Sequence, residues 1–182
     1  MEWVLDGLIT LVAALVVGAY TWSVRHHFSS EIMPSGARVV AAAVTGSTII
    51  MLALTWLVDQ PVLAQIAGLA VQLFSVCIFY AAIMASRKAR LRFVFDPAHP
   101  HSLVEEGPYR LVRHPFYLSY LIFWFGWALA TWSALAAPFV ILLVWLYIKA
   151  ARFEERNFEA SPLSPDYAAY KTRTGFFLPK LG

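Results

Sequence analysis

Long stretches without charged residues divide the chain and predict helices that span a membrane. Three such stretches, 7–24, 39–58 and 61–86, each end beside a charged residue. A bilayer core of about 30 Å requires roughly 20 apolar residues in helical form. Each stretch meets that requirement, the first with the help of residues 3–5 just upstream. The pattern therefore predicts three transmembrane helices in the first half of the chain.

A fourth stretch, 114–148, is too long for a single span. As one helix it would reach roughly 50 Å. Its middle, 131–138, contains Thr, Ser and Pro residues that suit a turn. We therefore predict a helical hairpin with two short arms, which need not cross the bilayer fully, so that its tip can lie within the membrane. The expected total is five transmembrane helices.

The composition excludes a soluble globular domain and a disordered chain. Of the 182 residues, 60% are apolar and 14% are charged, against about 45–50% and about 25% in soluble domains. A chain of this length cannot hide so much apolar surface in one water-soluble core. The single cysteine excludes a disulfide framework, and the net charge of +3 gives no indication of nucleic acid. We expect an all-α integral membrane protein forming a single domain, residues 1–182.

The distribution of basic residues predicts the orientation, because Lys and Arg concentrate in cytosolic loops. They follow the first, third and fifth predicted helices: Arg25, Arg38, Arg87, Lys88, Arg90, Arg92, Arg110, Arg113, Lys149, Arg152 and Arg156. The connection between the second and third helices has Asp59 and no Lys or Arg, and the hairpin tip carries no charge. We therefore expect a multi-pass protein with its N-terminus outside and its C-terminus in the cytosol.

Two polar segments, 86–113 and 149–182, are long enough to build a site. The predicted orientation places both on the cytosolic side, where a hydrophilic cofactor would meet them together. We therefore divide the chain into three transmembrane helices, 1–86, and a cofactor-binding region, 87–182, that includes the last two helices.

The first of these segments leads into the fourth helix with helix-start signals. Pro108 suits the first position of a short helix, on which Arg110 and Arg113 would share a face. Pro115 suits the first turn of the fourth helix, whose N-terminal N–H groups and positive dipole end favour a carboxylate or phosphate. The alternative is a plain membrane edge, where Arg113 reaches lipid headgroups and His114 is an interfacial residue.

The second segment begins as a continuation of the fifth helix, which should carry Glu154 and Glu155 past the membrane edge. After a break, Ser164 should cap a short last helix with Pro165 at its first position. Two tyrosines share one face of that helix: Tyr167 and Tyr170. The alternative is a solvated amphipathic tail with charges of both signs.

Taken together, the two segments contain a combined pattern. It reads G-x-Y-x-x-x-R-H-P-x-Y, then a hairpin, E-E, Y-x-x-Y and a hydrophobic-Pro ending. From His101 onward the chain resembles the isoprenylcysteine carboxyl methyltransferase family. The wider group of that family includes phospholipid methyltransferases and, more distantly, membrane sterol reductases.

The resemblance implies binding of S-adenosyl-L-methionine, with S-adenosyl-L-homocysteine as the product. The positions that match the family's cofactor contacts are His101, Ser102, Leu103, Val104, Tyr109, His114, Pro115, Phe116, Tyr117, Glu154 and Glu155. Arg113 joins them on chemical grounds, because an arginine beside a helix N-terminus suits the cofactor's carboxylate. Arg152 is the nearest match to the arginine that the family links to the methyl acceptor, although it stands closer to the glutamates than in the family.

The reaction that the resemblance implies is methyl transfer to a lipophilic acceptor. Isoprenylcysteine-like carboxylates come first as acceptors, and phenolic lipids and ethanolamine phospholipids are alternatives. Arg152 and His114 are the catalytic candidates, since His114 is the natural base for a phenol or enol. The expected partners are membrane lipids and a small lipophilic or prenylated acceptor, with no nucleic acid.

Two other functions remain open from the sequence. One is an NADPH-dependent reductase of the sterol type, whose cofactor phosphate would need several converging cations. The candidates for those cations are Arg110, Arg113, Arg152, Lys171 and Arg173. The other is a non-catalytic membrane scaffold. A metal site is not expected, because His99 and His101 with nearby Asp96 lack further ligands.

Overall fold

The fold is helical throughout the described residues. The computed structural model describes residues 2–26, 35–87 and 103–180. Six helices follow in chain order: α1 (Glu2–His26), α2 (Ser35–Leu57), α3 (Val62–Ser86), α4 (Pro115–Thr131), α5 (Ala137–Glu159) and α6 (Ser164–Arg173). Two 3-10 turns lie between them, at Gly107–Arg110 and Ala134–Ala136. The prediction of an all-α protein is confirmed for these parts of the chain.

Four helices are long and apolar enough to cross a membrane. They cover Trp3–Ser23, Gly36–Leu57, Val62–Ser86 and Ala134–Glu159, which correspond to the first, second, third and fifth predicted spans. Helix α4 is apolar but has 17 residues, or about 25 Å. It is the short first arm of the predicted hairpin, and its full crossing of the bilayer stays a prediction, as does the orientation of the chain.

The hairpin turn lies where the sequence predicts it. Helix α4 ends at Thr131. The capping residue that follows, Trp132, has a left-handed φ of 48°, and its N–H donates to the carbonyl of Leu129. The hydroxyl of Ser133 then accepts a hydrogen bond from the N–H of Leu135, and Pro138 lies in the first turn of α5. Local caps thus close both ends of the turn.

Helices α3 and α4 pack with their backbones in direct contact. A Cβ atom at Gly68 would lie 2.5 Å from the backbone of Ala130 and 2.5 Å from the carbonyl of Gly126. A Cβ atom at Gly126 would lie 2.9 Å from the backbone N of Gln72. Small residues permit this close approach between membrane helices. It positions α4, and therefore the residues at its start, against the longer α3.

Large apolar side chains cover much of the outer surface. Examples from the first three helices and α5 are Leu15, Ile49, Leu63, Phe74 and Ile141, each of which is more than half exposed. In a bilayer these side chains would face lipid. A soluble monomer rarely exposes so much contiguous apolar surface. Together with the four long apolar helices, this fits a multi-pass membrane protein.

Two details of the predicted helix ends are wrong. Helix α6 begins at Ser164, so Leu163 and not Ser164 is the capping residue. The reason is the preceding turn, in which the hydroxyl of Ser161 accepts from the N–H of Leu163 at 3.2 Å. The short helix at Pro108 exists, but it ends at Arg110 and does not include Arg113, so these arginines do not share its face.

Candidate functional site

The backbone before α4 is bound to the end of the chain. We call residues 174–180 the C-terminal strap. The N–H of Arg113 donates to the carbonyl of Gly175 at 2.8 Å, and the N–H of Gly175 donates to the carbonyl of Leu111 at 3.0 Å. Position 175 requires glycine, because a Cβ atom there would lie 1.6 Å from the carbonyl oxygen of Leu178. The strap therefore fixes the entry into α4.

The side chain of Arg113 joins three separate parts of the chain. Its Nε donates to Oε1 of Glu155 on α5 at 2.6 Å, and its Nη1 donates to the carbonyl of Thr174 in the strap at 2.5 Å. The two charged side chains are only 10% and 13% exposed. The ion pair thus lies in a largely dry environment, where charge interactions are stronger than at an open surface.

His114 lies directly before α4 and faces both glutamates. Its Nε2 is 3.4 Å from Oε1 of Glu155, and its Nδ1 is 3.5 Å from Oε2 of Glu154. The residue is 5% exposed. The ring of Phe176 covers it, with the ring centroids 4.9 Å apart, and Tyr117 lies on another side at 5.8 Å. Both imidazole nitrogens are therefore occupied by carboxylates.

The two glutamates control the protonation of His114. Burial by itself lowers the pKa of the imidazole, but hydrogen bonds to Glu154 and Glu155 outweigh that effect. The pKa of His114 is therefore raised above its ordinary value. We call Arg113, His114, Glu154 and Glu155 the charged cluster. It has one permanent positive charge, two negative charges and one group that titrates.

The charged cluster lies at the N-terminal end of α4. Pro115 is the first residue of this helix and has no N–H to leave without a partner. The first intrahelical bond runs from the N–H of Leu118 to the carbonyl of His114 at 3.0 Å. The remaining N–H groups of the first turn, at Phe116 and Tyr117, belong to the positive end of the helix dipole.

Helix α6 supports the cluster from the side. The hydroxyl of Tyr170 donates to the carbonyl of Tyr109 at 2.7 Å, which ties α6 to the short 3-10 turn. Tyr167 stacks on Phe158 with centroids 4.7 Å apart. Burial, with the negative charge of Glu155 nearby, raises the pKa of Tyr167 well above its ordinary value. The two tyrosines of the Y-x-x-Y pattern are both buried, as expected for residues on one packed face.

The structure brings together most of the residues that the sequence singles out. Arg113, His114, Glu154 and Glu155 form the charged cluster, and these positions begin or adjoin α4: Pro115, Phe116 and Tyr117. Val104 and Tyr109 are buried and Leu103 is half-buried. Their roles toward a cofactor stay predictions.

Other predicted positions are not part of the cluster. His101 and Ser102 lie outside the described residues, as do His99 and Asp96. Arg152 is described and exposed on α5. It forms no ion pair with the residues that the structure describes. Its catalytic role, like that of His114, stays a prediction.

Sequence reasoning missed the strap as part of the site. Thr174, Gly175 and Phe176 all contact Arg113 or His114. The one signal in the sequence that could have indicated the strap was the hydrophobic-Pro ending, which was used only as the last element of the combined pattern. A glycine between a threonine and two phenylalanines has no periodicity that would indicate a partner far away in the chain.

Comparison with known proteins identifies the family. The sequence model of a family described as phospholipid methyltransferase matches residues 63–161, more than half of the chain. The matched region contains α3 from its second residue, α4 and α5, with the whole charged cluster. The chain belongs to the phospholipid methyltransferase family. The family match ends at residue 161, before α6. The strap therefore lies beyond the matched region, although the residues that it contacts, Arg113 and His114, lie within it.

One curated relative is the cobalt-zinc-cadmium resistance protein CzcN of Cupriavidus metallidurans. It is 32% identical over 128 residues, which are 70% of this chain and 53% of the relative. The chain thus spans about half the length of that relative. No solved structure matches this member of the phospholipid methyltransferase family.

Proposed function

We propose that this family member is an S-adenosyl-L-methionine-dependent methyltransferase that acts on a lipophilic acceptor at the cytosolic membrane surface. The observation that carries the proposal is the charged cluster at the N-terminal end of α4. There Arg113 and His114 both contact Glu155, in a region that the family match includes. Membership of a methyltransferase family supports the same reaction class.

The residues of the cluster fit the methionine part of this cofactor. Its carboxylate suits the guanidinium of Arg113 and the N–H groups at the start of α4. Its ammonium suits the carboxylate of Glu155. In this structure that carboxylate accepts a hydrogen bond from Arg113. The apolar side chains of Leu103 and Val104 suit an adenine. When bound, the cofactor would supply the methyl group that is transferred.

The charge of the cluster also fits the cofactor better than the product. While His114 is neutral, Arg113 contributes one positive charge and the two glutamates contribute two negative charges, so the cluster has a net charge of minus one, which protonation of His114 brings to zero. S-adenosyl-L-methionine carries one net positive charge through its sulfonium, whereas S-adenosyl-L-homocysteine carries none. Opposite charges attract more strongly in a poorly hydrated site, which favours the reactant.

The chain's own residues would mainly align the reactants. Methyl transfer is a single displacement in which correct alignment supplies much of the rate. Phe176 and Tyr117 cover the ring of His114 and shield it from water. When it is protonated, His114 can donate from both ring nitrogens and hold Glu154 and Glu155 in place. It can accept a proton from a phenol or an amine only while it is itself neutral.

The acceptor that we propose first is the carboxylate of an isoprenylcysteine-like compound, which needs no general base. Arg152 supports this choice, because it is exposed on the same helix as Glu155 and could attract a carboxylate. Phenolic lipids and ethanolamine phospholipids are the alternatives. Each of them would reach the site from the bilayer, since the helices around it are apolar on their outer surfaces.

The distribution of cations does not favour the reductase alternative. Lys171 pairs with Glu159 at 2.7 Å, and Arg173 pairs with Glu105 at 2.8 Å. Arg113 is engaged with Glu155. The candidates for binding a 2′-phosphate are therefore mostly matched with carboxylates rather than gathered around one open position.

The name of the curated relative refers to metal resistance, but we do not propose metal binding for this chain. Within residues 2–26, 35–87 and 103–180, no group of three or more His, Cys, Asp or Glu side chains could hold a metal ion. Borderline metals such as zinc prefer histidine and cysteine ligands.

The test is a calorimetric titration of the purified protein in mild detergent with S-adenosyl-L-homocysteine. Glu155→Gln should weaken binding at least about tenfold, because a charged hydrogen-bond acceptor for the ammonium is lost. Glu159→Gln is the matched control, since Glu159 lies on the same helix and pairs with Lys171 at the surface. Both variants are checked for folding by circular dichroism and gel filtration.

Three results would count against the proposal. They are no binding to folded wild-type protein, equal binding in both glutamate variants, or binding of NADPH in a parallel titration. If the cofactor binds as expected, transfer of a labelled methyl group is measured with an N-acetylated isoprenylcysteine, a phenolic lipid and an ethanolamine phospholipid. That screen decides among the acceptors.

A further inference from the structure

One exposed face of α5 changes from apolar to basic along the helix. Its apolar part contains Ile141 and Trp145, which are 67% and 51% exposed. Its basic part contains Lys149, Arg152 and Arg156, which are all exposed. Successive members of this set are three or four residues apart, a spacing that places side chains on the same face of a helix. We call Lys149, Arg152 and Arg156 the basic stripe.

The position of the basic stripe along α5 matches the edge of a membrane. Helix α5 belongs to a span long and apolar enough to cross a bilayer, and Lys149 is its first charged residue. From Lys149 to Arg156 the helix rises about 10 Å, whereas the headgroup layer of one leaflet is about 5–8 Å thick. The basic stripe therefore extends through a headgroup layer when Ile141 lies in the hydrocarbon.

Trp145 connects the apolar part of the face with the basic part. Nζ of Lys149 lies 4.0 Å from the centroid of the Trp145 ring. An ammonium group is attracted to the face of an indole, and indole rings concentrate where hydrocarbon meets the headgroups. The contact therefore holds the ammonium group of Lys149 at the level where the phosphates of a leaflet begin.

The positive charges of the basic stripe are not cancelled by carboxylates among the described residues. Helix α5 has three glutamates, and each contacts a cation or a histidine outside the stripe: Glu154, Glu155 and Glu159. No ion pair within residues 2–26, 35–87 and 103–180 includes a member of the stripe. The guanidinium of Arg156 lies 5.8 Å from the ring centroid of Phe153, a contact that leaves its charge in place.

An anionic phospholipid is complementary to both parts of this face. Its phosphate is negatively charged, and guanidinium groups bind phosphate oxygens through paired N–H donors. Its acyl chains match the apolar side chains of Ile141 and Trp145. Cations grouped directly beside a membrane helix attract anionic lipids for the same reason. A soluble anion would be complementary to the basic stripe alone.

We propose that this face of α5 binds anionic phospholipids, with the headgroup phosphate on the basic stripe and the acyl chains along Ile141 and Trp145. A lipid held there fixes the depth of α5 in the bilayer, and with it the depth of the charged cluster. The proposal does not depend on methyl transfer. Arg152 is left unchanged in the test, because the proposed function also uses it to attract an acceptor.

The experiment counts the lipids bound to the purified full chain by native mass spectrometry in an uncharged detergent. The probes are phosphatidylglycerol, which is anionic, and phosphatidylcholine with the same acyl chains, which has no net charge. At low salt the wild-type protein should bind phosphatidylglycerol about tenfold more tightly than phosphatidylcholine. Lys149→Gln combined with Arg156→Gln should reduce this preference at least about threefold, because two of the three cations are lost.

The matched control is Arg173→Gln combined with Lys180→Gln. It removes the same amount of positive charge from the protein. Arg173 pairs with Glu105, and Lys180 donates to the backbone carbonyls of Lys171 and Thr172, so both cations already have partners within the protein. The preference for phosphatidylglycerol should therefore change little in this variant. Circular dichroism and gel filtration check that each variant is folded.

Four results overturn the proposal. They are equal binding of the two lipids to folded wild-type protein, an unchanged preference in the Lys149 and Arg156 variant, an equal loss in both combined variants, or full displacement of phosphatidylglycerol by glycerol phosphate. The last would indicate a site for soluble anions without lipid tails. If the combined variant does not fold, Lys149→Gln alone tests the same preference.

The outcome is separable from that of the proposed methyltransferase function. Neither Lys149 nor Arg156 belongs to the charged cluster, so the combined variant should bind S-adenosyl-L-homocysteine as the wild-type protein does. A wild-type protein that prefers phosphatidylglycerol but does not bind S-adenosyl-L-homocysteine would contradict the methyltransferase proposal and leave the lipid surface supported. The reverse result would contradict the lipid surface alone.

Discussion

The ion pair between Arg113 and Glu155 should stabilise the fold as well as bind a ligand, and Glu155→Gln tests this. The substitution keeps the size of the side chain and removes its charge. It leaves the guanidinium of Arg113 with the carbonyl of Thr174 as its remaining strong acceptor. It also removes the carboxylate that faces Nε2 of His114. Three parts of the chain therefore lose a common contact.

The expected magnitude follows from burial. Breaking a fully buried ion pair destabilises a protein by about 3–5 kcal/mol. Here the two side chains are 10% and 13% exposed, and glutamine can still accept a hydrogen bond, so we expect about 2–3 kcal/mol. For comparison, the pair of Lys171 and Glu159 has side chains 35% and 50% exposed. Breaking that pair should destabilise by at most about 1 kcal/mol.

The assay is thermal unfolding of both glutamate variants in the same detergent, without ligand. At about 2–4 °C per kcal/mol for a chain of this size, Glu155→Gln should lower Tm by about 4–12 °C. Glu159→Gln should lower it by no more than about 4 °C, and by less than half as much as Glu155→Gln. Equal shifts in the two variants would refute the reasoning, because they would show that the burial of the Arg113 pair has no energetic effect.

Three further predictions concern the surroundings of the cluster. Gly175→Ala should displace the strap and abolish binding of S-adenosyl-L-homocysteine, whereas Gly18→Ala, where an added Cβ meets nothing within 4 Å, should bind normally; normal binding by both would contradict the role of the strap. The pKa of His114 is raised, so its stabilising contribution is complete below about pH 6.5 and is lost as the pH rises through the raised pKa. Tm should therefore fall over that range, and His114→Gln should flatten the fall; an unchanged slope in the variant would argue against it. Tyr170→Phe should reduce stability by about 1 kcal/mol through its lost hydrogen bond, more than Tyr80→Phe at an exposed position, as measured by Tm.

The sequence was most informative where a local pattern determines structure. Charge-free runs locate α1, α2, α3 and α5, because a bilayer requires a minimum apolar length. The hairpin turn at 131–138 and the start of α4 at Pro115 follow from turn and helix-start residues. All of these depend on neighbours in the chain, which a sequence displays directly.

Long-range pairings could not be derived in the same way. The contact between Arg113 and Glu155 joins residues 42 positions apart. The predicted orientation of the chain put both residues on the cytosolic side of the membrane, but it did not predict that they are in contact. The bridge between Val112 and Gly175 has no repeating pattern on either side. The cap of α6 was misplaced because Ser161 and Ser164 offer equivalent hydroxyls, and only the three-dimensional turn selects between them.

The strap also has a consequence for biosynthesis. The apolar helices can enter a membrane as each emerges from the ribosome, since domains and segments form in the order of synthesis. The backbone of Arg113, however, obtains its partner only when residue 175 has been made. The cluster at the start of α4 is thus completed only after residue 175 has been synthesised, which is later than each of the four long apolar helices that the structure describes. A nascent chain already inserted in the bilayer would still lack its closed cluster.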